Sequence, residues 1–150
     1  MATAAYFPGT AAVPILPDGW VRFSQATLDG ALVQGKSVLV DATADWCATC
    51  QVNEAAVLLR PDVSALLKGY GVVRLRADYT RPDPEIQKWL ASVGRAGLPV
   101  YVLYRPGRQV YFFPEILTDD TFTRVMEAQT PMSPSSCLPA SRACSRPMAD

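Results

Sequence analysis

Two cysteines, Cys47 and Cys50, stand three residues apart, directly behind Trp46 and just after the apolar run Val38-Leu39-Val40-Asp41-Ala42. A helix that starts at Cys47 brings the two sulfurs within disulfide reach. Its N-terminus supplies donors and positive potential that stabilise a thiolate. A strand feeding a Cys-x-x-Cys helix fits thiol–disulfide exchange. In that chemistry Cys47, at the exposed helix start, attacks, and Cys50, one turn further in, resolves the mixed disulfide. Two other uses of the pair stay open: buried structural cysteines, or half of a zinc site completed by Cys137 and Cys144. Those two are separated by six residues in a Ser- and Pro-rich stretch, unlike usual ligand spacing.

The rest of the composition narrows the chemistry. The 150-residue chain has no histidine, which removes Cys-His catalysis, His-containing zinc sites and haem ligation by His. Fourteen basic residues balance fourteen acidic ones without a basic block, so nucleic acid and anionic membrane are poor partners. Hydrophobic residues make up 49% and charged residues 19%, which is globular, and the length suits one domain. No apolar run approaches the roughly 18 residues that span a bilayer. The first residues lack the basic and apolar regions of a signal peptide, so the chain read alone points to the cytoplasm.

The elements that must position the cysteines follow from periodicity. Residues 1–19 are small, Pro-rich and patternless and read as a linker; 20–129 read as the domain; 130–150, rich in Ser and Pro, read as a disordered tail. Trp20 to Phe23 fit a short first strand, and Ser24 an N-cap for a helix that Gly35 ends. Residues 37–43, almost continuously apolar, fit a strand buried on both faces. After Cys47, the spacing of Val52, Ala55, Ala56 and Leu59 predicts a core-facing stripe. Pro61 ends that helix and starts a short one. Residues 72–78 alternate as a strand, Asp83-Pro84 opens a helix through Ile86, Trp89, Leu90 and Val93, and 100–104 and 109–113 form a hairpin through Pro106-Gly107. Thr118 caps a last helix.

This order, with Trp-Cys-x-x-Cys after the central strand and Gly97-Leu98-Pro99 before the hairpin, resembles the thioredoxin fold: an α/β architecture with a central mixed sheet flanked by helices. Residues 40–47, Val52-Asn53-Glu54, 76–83, 97–101 and 104–107 are more similar to the C-terminal thioredoxin-like domain of the DsbD family of thiol:disulfide interchange proteins. The resemblance covers about residues 20–128. It implies a protein-disulfide reductase whose cysteine pair is the redox group, with no further cofactor or metal. It also implies a periplasmic location, a membrane-embedded domain as electron donor and a periplasmic domain as acceptor. The reductase is expected to act as a monomer on partner thiols and disulfides. A redox-silent thioredoxin-like interaction module and a general cytosolic thioredoxin are the rival readings.

The resemblance also gives roles to the neighbours of the cysteines. Asp41 is the buried carboxylate that accepts a proton from Cys50 during resolution; otherwise it merely ends its strand or pairs with Arg74. Glu54, one turn beyond Cys50, is a second acid that raises the thiol pKa, or else an ordinary solvated side chain. Pro99 follows a cis peptide bond, and Leu98 binds substrate through its main chain. Trp46 shields the disulfide and offers an apolar contact, or packs in the core. Ala48-Thr49 departs from the Gly-Pro of thioredoxins proper, and Gln51 stands where close relatives are expected to carry Lys.

Overall fold

The computed structural model describes residues 4–5 and 13–128. Two short strands, β1 (Ala4–Ala5) and β2 (Val13–Pro14), pair antiparallel ahead of the expected first strand. The main sheet has five strands: β3 (Val21–Arg22), β4 (Val38–Thr43), β5 (Val73–Asp78), β6 (Val100–Tyr104) and β7 (Tyr111–Phe112). They lie in the order β3-β5-β4-β6-β7, parallel across β3, β5 and β4 and antiparallel across β6 and β7. The sheet is therefore mixed, with β4 at its centre. All six residues of β4 are buried, as its unbroken apolar run requires.

One face of the sheet is covered by α1 (Gln25–Val33) and α4 (Pro84–Ser92), which pack Leu28, Ala31, Ile86, Trp89 and Leu90 onto Val38, Val40, Leu75 and Val102. The other face carries α2 (Ala48–Asn53), α3 (Pro61–Gly69) and α5 (Asp119–Glu127). There Val57, Leu67, Phe122 and Met126 pack on Leu39, Tyr101 and Leu103. The helix starts carry the expected caps. Ser24, Asp83 and Thr118 each accept a backbone N–H from the first turn, and Pro61 and Pro84 occupy initial positions. In the hairpin Arg108 N–H donates to the Arg105 carbonyl at 3.2 Å while Gly107 takes φ +67°. Strand β7 is shorter than the expected 109–113.

Two expectations change. The stripe Val52, Ala55, Ala56 and Leu59 faces solvent, with Val52 64% exposed. The buried stripe is Cys50, Asn53, Glu54, Val57 and Leu58, which continues through a π-helical turn (Glu54–Leu58). Cys50 must lie inward to meet Cys47, and the residues at +3, +4, +7 and +8 from it are carried inward with it. Because two of them are polar, apolar spacing alone selects the wrong face.

The second change concerns the stretch read as linker. Leu16 N–H donates to the Trp20 carbonyl at 2.6 Å and Gly19 N–H to the Leu16 carbonyl at 2.8 Å, while Ile15 bridges to Val21 antiparallel. Leu16-Pro17-Asp18-Gly19 is thus a tight hairpin turn, with Pro at its second position and Gly19 at φ +82°. A side chain at Gly19 would meet the Arg74 guanidinium at 2.6 Å. The tail with Cys137 and Cys144 lies outside the described residues.

Candidate active site

Cys47 and Cys50 form a disulfide with Cα atoms 5.2 Å apart. Cys47 is the N-cap of α2 rather than a residue of its first turn, and its Sγ accepts the Cys50 N–H at 3.3 Å. The two residues differ in access: Cys47 is 8% exposed and Cys50 fully buried. A partner thus reaches Cys47 first. With Ala44 the pair forms a small cluster against which Leu98 packs. The Leu98–Pro99 bond is cis. Beside it, a groove of about 400 Å³ runs past Gly97, Leu98, Pro99, Phe112 and Pro114.

The loop into α2 is tied down from two sides. Cys47 N–H donates to the Ala44 carbonyl at 3.0 Å and Gln51 Nε2 to the same oxygen at 3.3 Å. Across the site Thr80 accepts the Asp45 N–H at 2.9 Å, and its carbonyl accepts Trp46 Nε1 at 3.3 Å. Trp46 is therefore oriented although 64% exposed, which excludes the core-packing alternative. Its ring is an apolar surface presented to solvent beside the disulfide.

The strand before the cysteines and the turn after them each bury an acid. Asp41 is fully buried on β4, and neither of its oxygens has a hydrogen-bond partner among the described residues. Its strand partner in register is Arg76. The Arg76 Nε stands 3.6 Å from Asp41 Oδ2, an ion pair just beyond hydrogen-bonding reach. Arg74, the partner in the alternative, purely structural reading of Asp41, instead donates to Ser64 Oγ at 2.9 Å. Burial, reinforced by the nearby Glu54 carboxylate and only partly countered by Arg76, pushes the Asp41 carboxyl up to about 7. It is poised to exchange a proton near neutrality.

Glu54 is buried too, and accepts the Thr43 hydroxyl at 2.5 Å, so the solvated reading of this residue is excluded. Next to it Asn53 donates to Tyr101 OH at 3.0 Å and to the Glu115 carbonyl at 2.6 Å, and its oxygen accepts the Leu117 N–H at 3.1 Å. Asn53, Arg76, Asp18 and Thr80 had no place in the reading of the site from sequence. The signal for Asn53 was its spacing three residues after Cys50, and for Arg76 its place opposite Asp41.

The elements bring together Cys47, Cys50, Trp46 and Leu98–Pro99, while Asp41 and Glu54 are buried on the strand before the cysteines and the turn after them. A disulfide with one accessible and one buried sulfur, a buried acid and an apolar rim can accept and pass on electrons by thiol exchange. Residues 19–106 match the family model described as thioredoxin-like, and the chain belongs to that family. Among its relatives are the thiol:disulfide interchange proteins DsbD 1 and DsbD 2 of Pseudomonas aeruginosa. DsbD 1 is 37% identical over 99 residues, covering 63% of this chain and 16% of the relative. DsbD 2 is 44% identical over 79 residues, covering 45% and 14%. The chain thus spans about a sixth or less of the length of these relatives. The oxidised C-terminal domain of DsbD from Neisseria meningitidis superposes with a TM-score of 0.58 at 27% identity, over 71% of this chain and 92% of that domain. A mutant thioredoxin from Halobacterium salinarum gives 0.58 at 28% identity, over 84% and 100%.

Proposed function

We propose that this protein is a thiol:disulfide oxidoreductase that reduces disulfides of partner proteins through Cys47 and Cys50. The observation that carries the proposal is the asymmetry of the pair: Cys47, 8% exposed, caps the helix N-terminus, and Cys50, one turn further in, is fully buried. In the reduced state the Cys47 thiolate attacks one sulfur of a partner disulfide, and the second partner sulfur leaves as a thiolate. Cys50 then attacks the mixed disulfide, gives its proton to Asp41 through solvent, and displaces the reduced partner while the Cys47–Cys50 bond forms. Two electrons pass from this protein to the partner. Trp46 and Leu98 form the contact rim, and the main chain at Leu98 pairs with the partner's extended segment. Glu54 acts with Asp41 to hold back the Cys47 thiolate.

The DsbD likeness supports an electron relay, with a membrane-embedded donor domain, a periplasmic acceptor and a periplasmic location as the finer reading. Among the described residues no helix is long and apolar enough to cross a membrane. The relay and the general thioredoxin share their chemistry and differ in partner. The test is catalysed reduction of insulin disulfides with dithiothreitol as donor. Wild type is expected to turn over and Cys47→Ser to be inactive. A wild type no faster than dithiothreitol alone would leave a redox-silent interaction module as the reading.

A further inference from the structure

The hairpin turn ahead of the domain places a third carboxylate in the same network. Asp18 Oδ1 accepts the Trp20 N–H at 3.1 Å, which fixes its side chain, and Asp18 Oδ2 is ion-paired with Arg76 Nη1. The Arg76 guanidinium lies over the fully buried Trp20 ring, 4.9 Å from its centroid. Arg76 is thus gripped at its end by Asp18 and on its face by Trp20. Its Nε and Nη2, and both oxygens of Asp41, are buried without hydrogen-bond partners among the described residues, although Nε and Oδ2 are only 3.6 Å apart. The one guanidinium therefore serves two carboxylates unequally: it is in close contact with Asp18 and in a looser ion pair with Asp41. Pro17, Asp18 and Arg76 also wall a cleft of about 310 Å³ that reaches Glu54 and Thr43 from solvent.

We infer that Asp18 is a positioning residue for the thiol chemistry: by drawing the Arg76 guanidinium into the closer contact, it keeps the Arg76–Asp41 ion pair loose and the buried acid able to take up a proton. A segment outside the β4–α2 unit thereby governs the proton acceptor within it. The inference rests on the oxidoreductase reading for its purpose, but not for its test. The titratable and charged groups around Asp41 are its register partners Arg76 on β5 and Tyr101 on β6, Glu54 at the end of the active-site helix, and Asp18 on the hairpin. Glu54 and Asp18 disfavour a charged Asp41, and Arg76 favours it. Releasing Arg76 and removing the Asp18 charge act in the same direction.

The experiment follows the Asp41 carboxyl carbon by NMR across pH in the oxidised full chain, where no thiol titrates, with Asp41→Asn to assign the signal. Asp18→Asn should lower the Asp41 midpoint by about one pH unit, the scale of an opposite charge brought into contact. Asp18→Ser, which keeps an acceptor for the Trp20 N–H, should do the same and guards against a local loss of the turn. Arg76→Gln should raise the midpoint. In the Arg76→Gln background, Asp18→Asn should move it by less than half as much as in wild type. An unchanged or higher midpoint in both Asp18 variants overturns the inference. So does an equal shift with and without Arg76, which would make Asp18 a distant charge and nothing more. Insulin reduction by the wild type tests the oxidoreductase reading separately.

Discussion

At the scale of single residues, the carboxyl of Asp41 gives the molecule one particular response to pH. Folding moves this group from an ordinary value near 3.8 to about 7, chiefly by burying it. Between those values the folded state binds a proton that the unfolded chain has released, so this group makes stability fall as pH rises from about 4 to 7. Asp41→Asn removes that contribution, and at pH 8 it should be more stable than the parent by up to about 4 kcal/mol, with little gain at pH 4. Urea unfolding of both proteins at the two pH values measures the difference; an equal gap at both would contradict it. On the proposed mechanism the carboxylates of Asp41 and Glu54 also oppose a thiolate at Cys47. Asp41→Asn combined with Glu54→Gln should shift the pH midpoint of iodoacetamide alkylation downward, and an unchanged midpoint would take the acids out of thiol control. Asp41 was legible because a charge in the middle of an apolar run must be buried. Its partner was not, since the choice between Arg74 and Arg76 depends on strand register, which periodicity leaves undetermined.

At the scale of elements, the active-site helix is held by polar groups as much as by apolar ones. Asn53 joins three partners on β6 and the 115–117 segment, and its loss strands the buried Leu117 N–H and Tyr101 hydroxyl. Asn53→Ala should cost about 2–3 kcal/mol in equilibrium unfolding, whereas Val52→Ser, on the outward face, should stay within about 0.5 kcal/mol. The reverse order would restore the stripe that apolar spacing suggested. That spacing failed here because Cys50 dictates the helix's inward face and brings Asn53 and Glu54 with it. Elsewhere local chemistry was enough. Ser24, Asp83 and Thr118 announce helix starts through side chains that accept first-turn N–H groups, and Pro106-Gly107 announces the hairpin by its dihedral preferences.

At the scale of the whole molecule, the order of elements and the Cys-x-x-Cys position carried the thioredoxin fold, while the boundary of the domain was harder to read. Pro17-Asp18-Gly19 looks like linker punctuation, yet it turns a hairpin whose Leu16 packs on the core and whose Asp18 reaches Arg76. Arg76 lies 58 residues from Asp18 in sequence, so no local pattern signals that contact. A fragment of residues 13–128 should unfold as cooperatively as the full chain, whereas residues 20–128 should lose roughly 2–3 kcal/mol by uncovering Trp20 and freeing Arg76. Equal stability of the two fragments would return the hairpin to the linker. All of these features serve one claim, that an accessible Cys47 attacks and a sealed Cys50 resolves. The most direct measurement is trapping with a disulfide-bonded protein substrate, followed by peptide mapping. Cys50→Ser should accumulate a mixed disulfide through Cys47 and Cys47→Ser should accumulate none; a mixed disulfide at Cys50, or sustained turnover by Cys47→Ser, would contradict the assignment.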